Sequence, residues 1–250
     1  MRAFILCLAA GCSASTVGLD DGTKDETTPE TIGTEPAPAT APIYAHGADG
    51  LYTWSAVDGP TLIGSFVDTD SGTVINGMTD IAIDSEGGLY GAYSASLYRV
   101  DPTNATCTYQ GSLPESGTGL TFLPDGRLLI AGMSLVAYDL DSGATEELVA
   151  TAVWATSGDV VAVPDGSIHW SVVLPNTDGW VRVEPSLGSA DLVGEVGASS
   201  LWGVAYAEDT LYAFAADGTS WEIDPTTGAG TLVRSDSVGW YGATTNPVSW

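Results

Sequence analysis

The sequence predicts an all-β protein: a five-bladed β-propeller closed by pairing the C-terminal strand with the first blade. Three observations predict it. The 250 residues hold 31 glycines, 8 tryptophans and 10 tyrosines but only 15% charged residues. That composition suits short strands joined by tight turns, and it excludes a coiled coil or helical bundle. A unit of four short apolar strands recurs about every 40 residues, the length of a propeller blade. Finally, each end of the repetitive region lacks what the other end has.

The repeat is clearest at its inner hairpin. An apolar strand (Ile81-Ala82-Ile83, Leu120-Thr121-Phe122-Leu123, Val160-Val161-Ala162-Val163, Val204-Ala205-Tyr206) runs into an acidic turn (Glu86-Gly87-Gly88, Asp125-Gly126-Arg127, Asp165-Gly166-Ser167, Glu208-Asp209-Thr210). A second strand follows: Leu89-Tyr90-Gly91-Ala92, Leu128-Leu129-Ile130-Ala131, Ile168-His169-Trp170-Ser171, Leu211-Tyr212-Ala213-Phe214. The third strand holds Tyr98, Val136, Val181 and Trp221, spaced 38, 45 and 40 residues apart. It ends at Asp101, Asp139, Glu184 and Asp224, three of them followed by proline. A fourth strand closes each unit at residues 108–113, 145–149, 190–196 and 230–234.

The first unit begins at Ile43 with strands two, three and four only (Ile43–His46, Leu51–Trp54, Thr61–Phe66), whereas residues 240–247 supply one unmatched inner strand. Pairing these two ends gives five units and removes two sheet edges that would invite aggregation. The repeats are divergent, so four or six blades are the alternatives.

The expected organisation is therefore residues 1–11 as a signal, 12–42 as a tether and 43–250 as the propeller. Arg2 precedes the apolar run Ala3–Gly11, which is too short to span a bilayer and reads as a secretory signal. Leu8-Ala9-Ala10-Gly11-Cys12 resembles the bacterial lipobox, with Ala9 where that pattern usually has leucine. The resemblance implies acylation of Cys12 and a partner in the lipid bilayer of the cell envelope, most simply the outer membrane. The alternative is an ordinary secretory signal with a cysteine nearby. Ser13–Pro42 has no hydrophobic periodicity, and four prolines and six carboxylates face a single Lys24. Such a segment cannot bury enough apolar surface to order itself and favours an extended spacer. With Cys7 in the signal and Cys12 lipidated, Cys107 is left alone, so no internal disulfide is expected.

The recurring pattern of Asp-Gly, Leu-Tyr and Leu-Tyr-x-Val-Asp-Pro is similar to bacterial propellers of the broad SMP-30/gluconolactonase-like, NHL-like and YVTN-like kind. The resemblance implies a fold more than an activity, because one fold hosts many functions. The SMP-30 kind implies a metal-dependent lactonase coordinating its ion at the channel. Only Asp80, Asp159 and Asn246 are plausible ligands here, and no glutamate is obviously placed.

Candidate chemistry concentrates where the inner strands begin. Gly119, Gly203 and Gly242 hold one repeat position, and Asp80 and Asp159 replace glycine there in blades two and four. Two carboxylates at a channel mouth suit a cation or polar ligand; the bland alternative is a pair of solvated rim acids. Met78, Trp154, Trp202, Trp240 and Tyr241 gather in the same connections. Rings around a polar centre suit a protein, peptide or glycan ligand, and inter-blade packing is the equal alternative. His46 aligns with Ala92, Ala131, Ser171 and Phe214 and is odd for that position, which makes it a ligand-binding candidate. His169 replaces a repeat tyrosine and reads as structural. The recurring acids before proline read as turn caps. Asp68-x-Asp70-x-Gly72 and Asp139-x-Asp141-x-Gly143 hint at calcium loops but lack the remaining ligands. Calcium is thus the only cofactor considered, and none is expected.

No Gly-x-Ser-x-Gly, P-loop or His-Glu-x-x-His motif occurs. The propeller carries 26 acidic residues against four arginines, −22 of the total −26. Nucleic acid is excluded as a partner, because phosphates need basic clusters. The leading expectation is a membrane-anchored binding or assembly module, with the lactonase-like hydrolase as the alternative.

Overall fold

The computed structural model describes residues 43–48, 50–150 and 153–245. The signal, Cys12, the tether and Asn246 lie outside the described residues.

Among the described residues, twenty-one strands and no helix make five sheets, antiparallel but for one short edge strand. Blade 1 contains β1 (Ile43–His46), β2 (Leu51–Ser55) and β3 (Gly59–Gly64). A two-residue strand, β4 (Val67–Asp68), leads on to blade 2, made of β5 (Asp80–Ile83), β6 (Leu89–Tyr93), β7 (Ser96–Val100) and β8 (Thr106–Ser112). Blade 3 is β9 (Gly119–Phe122), β10 (Leu128–Ala131), β11 (Leu135–Tyr138) and β12 (Thr145–Val149). Blade 4 is β13 (Thr156–Ala162), β14 (Ile168–Val173), β15 (Asp178–Glu184) and β16 (Ser189–Glu195). Blade 5 is β17 (Leu201–Ala207), β18 (Thr210–Ala215), β19 (Thr219–Ile223) and β20 (Gly230–Ser235). The last strand, β21 (Gly242–Thr245), pairs with β1 through Ile43↔Thr245 to His46↔Gly242 and completes blade 1. The expected closure is therefore present.

Two details differ from the sequence expectation. Strand β4 adds a parallel fifth strand to blade 2, Val67 facing Thr106 and Asp68 facing Cys107. Two residues carry no periodicity, so the strand left no pattern to read. The closing strand also begins at Gly242 rather than residue 240. Trp240 turns inward instead and packs beside Trp54, Phe214 and Ala243.

The inner hairpins form because their turns meet the required backbone geometry. Gly126 and Gly166 have φ of 90° and 85°, which glycine adopts without a Cβ penalty. The carboxylates of Asp125 and Asp165 accept the N–H groups of Arg127 and Ser167. In blade 5, Glu208 and Asp209 take φ of 50° and 58° without glycine. The inward faces bury Leu51, Leu89, Leu129, Trp170, Trp180 and Phe214 completely. Inter-blade burial of this kind is the main stabilising contribution.

The strands β5, β9, β13, β17 and β21 pack around one axis, each against the next, and β21 meets β5 again. They run the same way. The first residues of neighbouring strands meet at one level: a Cβ on Gly119 would press on Asp159, and one on Gly203 on Gly242. At the other end Thr245 accepts the N–H of Tyr206. The end where inner strands begin is called the mouth.

Candidate functional site at the axis and mouth

At the mouth level the five inner strands approach too closely for most side chains. A Cβ on Gly203 would lie 2.8 Å from Gly242 backbone, and one on Gly119 2.9 Å from Asp159 Cα. Two of the five positions nevertheless carry aspartate, and both Asp80 and Asp159 are wholly buried. The solvated-rim alternative does not describe them.

The reason lies in the backbone. An inner strand has no neighbour in its own sheet on the axis side, so its N–H groups there need another acceptor. Asp80 Oδ2 accepts the N–H of Leu120 at 2.5 Å. Asp159 Oδ1 accepts that of Val160 at 2.6 Å, and Oδ2 that of Val204 at 2.5 Å. The N–H groups of Ile81 and Ala243 also stabilise the ionised forms of Asp80 and Asp159 respectively. These five N–H groups follow the five equivalent residues, one per blade, and two carboxyl groups collect them all.

The two carboxyl groups also lie close enough to interact with each other. Burial raises both pKa values above the ordinary carboxylate range, and the Asp159 charge raises Asp80 further. His46 joins them. It pairs with Gly242 across the ring closure, and its Nε2 and Asp80 Oδ1 crowd the same point over Gly242. Nδ1 lies 3.1 Å from the Gly47 carbonyl, which can only accept, so Nδ1 carries the hydrogen and Nε2 is a bare lone pair. Burial lowers the His46 pKa to about 4, so the ring is neutral. Among the described residues, none donates an N–H or O–H to His46 Nε2 or Asp80 Oδ1.

At Asp80 and Asp159 this arrangement does not suit the expected calcium ion, and the third expected ligand, Asn246, lies outside the described residues. Calcium takes six to eight oxygens, and here three of the four carboxyl oxygens already accept backbone N–H groups. Among the described residues no group of three His, Cys, Asp or Glu side chains is arranged to hold a metal ion. The calcium-like motifs are turns: Asp68 Oδ1 accepts from Asp70 and Ser71, and Asp139 Oδ1 from Asp141 and Ser142.

The aromatic candidates divide. Met78 and Trp240 are completely buried, Met78 filling the space over Gly91. Trp154 packs against the core and donates its indole N–H to the Ala190 carbonyl at 3.0 Å. Trp154 and Trp202 are half-buried and Tyr241 is exposed; Trp202 and Tyr241 form an edge-to-face pair at the mouth with centroids 5.1 Å apart. Beside Trp202 lies a groove of about 340 Å³ bounded by Ser157, Val173, Asn176, Thr177 and Ser200. Sequence reading did not single out this groove, because the β14–β15 hairpin that walls it carries no repeat signature. The nearby Asp178 carboxylate is already engaged by Ser157 and the Leu201 N–H. A larger groove of about 540 Å³ lies at the opposite end, between Ile43, Trp54, Val57 and Glu208.

The inner hairpins at that opposite end carry Asp84, Glu86, Asp125, Asp165, Glu208 and Asp209. The mouth instead exposes Tyr93, Met133, Val173 and Tyr241. His169 is structural in its contacts: Trp180 donates to its Nδ1 at 2.9 Å.

Comparison with known proteins agrees with the architecture. A structure described as a nidogen/laminin complex superposes with a TM-score of 0.56 at 10% identity, covering 82% of this chain and 98% of that one. A second comes from work on the de novo evolutionary emergence of a symmetrical protein. It has a TM-score of 0.51 at 18% identity, covering 81% and 93%. At these identities the likeness shows the fold alone. No protein-family model matches the chain, and no curated protein does. The protein is a five-bladed β-propeller.

Proposed function

We propose that the protein is a tethered binding module of the bacterial cell envelope, anchored through acylated Cys12 and binding an uncharged polar ligand, a glycan or a peptide, at its mouth. The observation that carries this reading is the groove beside Trp202. It joins aromatic surface to a fringe of hydroxyl and amide groups, with the Asp178 carboxylate in its wall already engaged by Ser157 and Leu201, and such a mixture suits a ligand with one apolar face and many hydrogen-bonding groups.

A glycan and peptide array tests the binding half. Wild type is expected to retain a ligand that Trp202→Ala loses by tenfold or more, roughly the stacking of one aromatic ring. Equal binding by both proteins rejects the groove. For the anchor, Cys12→Ala is expected to release the protein from the membrane fraction, and unchanged fractionation rejects acylation.

A further inference from the structure

We propose that the axis of the propeller is a proton-binding site, in which Asp80 is a carboxylic acid whose hydroxyl hydrogen is shared with the Asp159 carboxylate and faced by His46 Nε2. Donors and acceptors do not balance in this dry space. Asp159 accepts backbone N–H groups on both oxygens, from Val160 and Val204. It is surrounded as an anion should be. Asp80 accepts the Leu120 N–H on Oδ2 and is also stabilised by the Ile81 N–H. Its Oδ1 is buried without a donor, shares the space over Gly242 with His46 Nε2, and belongs to a carboxyl group that interacts with that of Asp159. Two lone pairs facing one another without a hydrogen between them repel, and two adjacent buried anions repel more. A single proton on Asp80 Oδ1 removes both conflicts.

Strand β14 contributes the neutral Ser171, whose hydroxyl meets the Asp159 backbone. Strand β1 contributes His46, β5 Asp80 and β13 Asp159. Strands β9, β17 and β21 contribute Gly119, Gly203 and Gly242 at this level and no charge. Among the described residues no cation neutralises the pair. The proton therefore serves where a metal ion would in a site richer in free oxygens, linking blades 1, 2 and 4 beside the ring closure.

The linkage has a definite sign. Both carboxyl groups have folded pKa values above the unfolded value of about 4. The fold is therefore not penalised by them at pH 4 and loses stability as pH rises, once the unfolded chain ionises and the folded pair resists.

The test is melting of the full chain between pH 5 and 9, alongside infrared detection of protonated carboxyl groups. At pH 7 wild type is expected to show a protonated carboxyl band that Asp80→Asn removes. Asp80→Asn keeps an oxygen for Leu120 N–H and offers its own N–H groups to Asp159 and His46. Its melting temperature should equal or exceed that of wild type at pH 8, with the alkaline decline diminished. Asp159→Asn turns an amide NH₂ towards backbone donors, so its melting temperature should fall by roughly 10 °C at every pH. Should either variant fail to fold, the wild-type band decides alone. No protonated carboxyl at pH 7, or equal losses in the two variants, overturns the proposal. So does a calcium-induced rise in wild-type melting that Asp80→Asn abolishes.

Discussion

The axis and the rim use the same residue type in opposite ways. At the rim, Asp101, Asp139 and Asp224 end third strands and accept N–H groups from the next few residues of their own turns. These hydrogen bonds hold the carboxyl groups below their ordinary pKa. At the axis, Asp80 and Asp159 accept N–H groups from other blades, and burial drives their pKa values upward. A carboxylate that serves its own turn remains in water and is replaceable. One that serves its neighbours' strands is dry, and the ring depends on it. The two populations also answer pH in opposite senses: rim acids lose their contribution as pH falls below about 4, whereas the axial pair costs more as pH rises above it.

The contrast is broken most directly at Asp159. Asp159→Ala strands the Val160 and Val204 N–H groups in the interior, and denaturant unfolding should show a loss of roughly 3–5 kcal/mol. A loss below about 1 kcal/mol would mean that the axial N–H groups find other partners. Gly242→Ala comes next. Its Cβ would press on Asp80 Oδ1 and His46 Nε2, and an overpacked site of this kind should cost about 1–3 kcal/mol. Acid titration sharpens the picture further. Burial lowers both His46 and His169 to about 4, so they contribute stability that is present above about 6.5 and lost as pH falls towards 4. His169→Phe should flatten that part of the curve without touching the alkaline limb. The smallest effect is expected at the rim. Asp224→Asn keeps an acceptor oxygen for Thr226 and Thr227 and should leave the melting temperature unchanged. A large loss there would erase the distinction between the two populations.

The architecture was legible because it is written as a repeat. Acidic turns between apolar strands announce an inner hairpin each time, and the incomplete first unit called for a strand from the far end. The exchange of glycine for Asp80 and Asp159 was also visible, as was the oddity of His46 against Ala92, Ala131 and Phe214. Their relation to one another was not. Asp80 and Asp159 stand two blades apart, and His46 reaches Asp80 only because β21 places Gly242 between them. Contacts around an axis depend on ring size and strand register, which no single strand's periodicity encodes. The burial of Met78 and Trp240 escaped for a related reason: an aromatic or sulfur side chain in a connection looks alike whether it turns inward or outward.

The pairing of Ile43 with Thr245 has a consequence for how the chain is made. Strand β1 is synthesised before every other strand described, and its partner on the axis side comes last. The seam thus joins residues about 200 positions apart, a separation that slows folding. Throughout elongation one sheet waits with an unsatisfied border, a period in which holding factors would have something to protect. Once zipped, the same seam becomes the fastener that a pulling force or a circular permutation would have to open first.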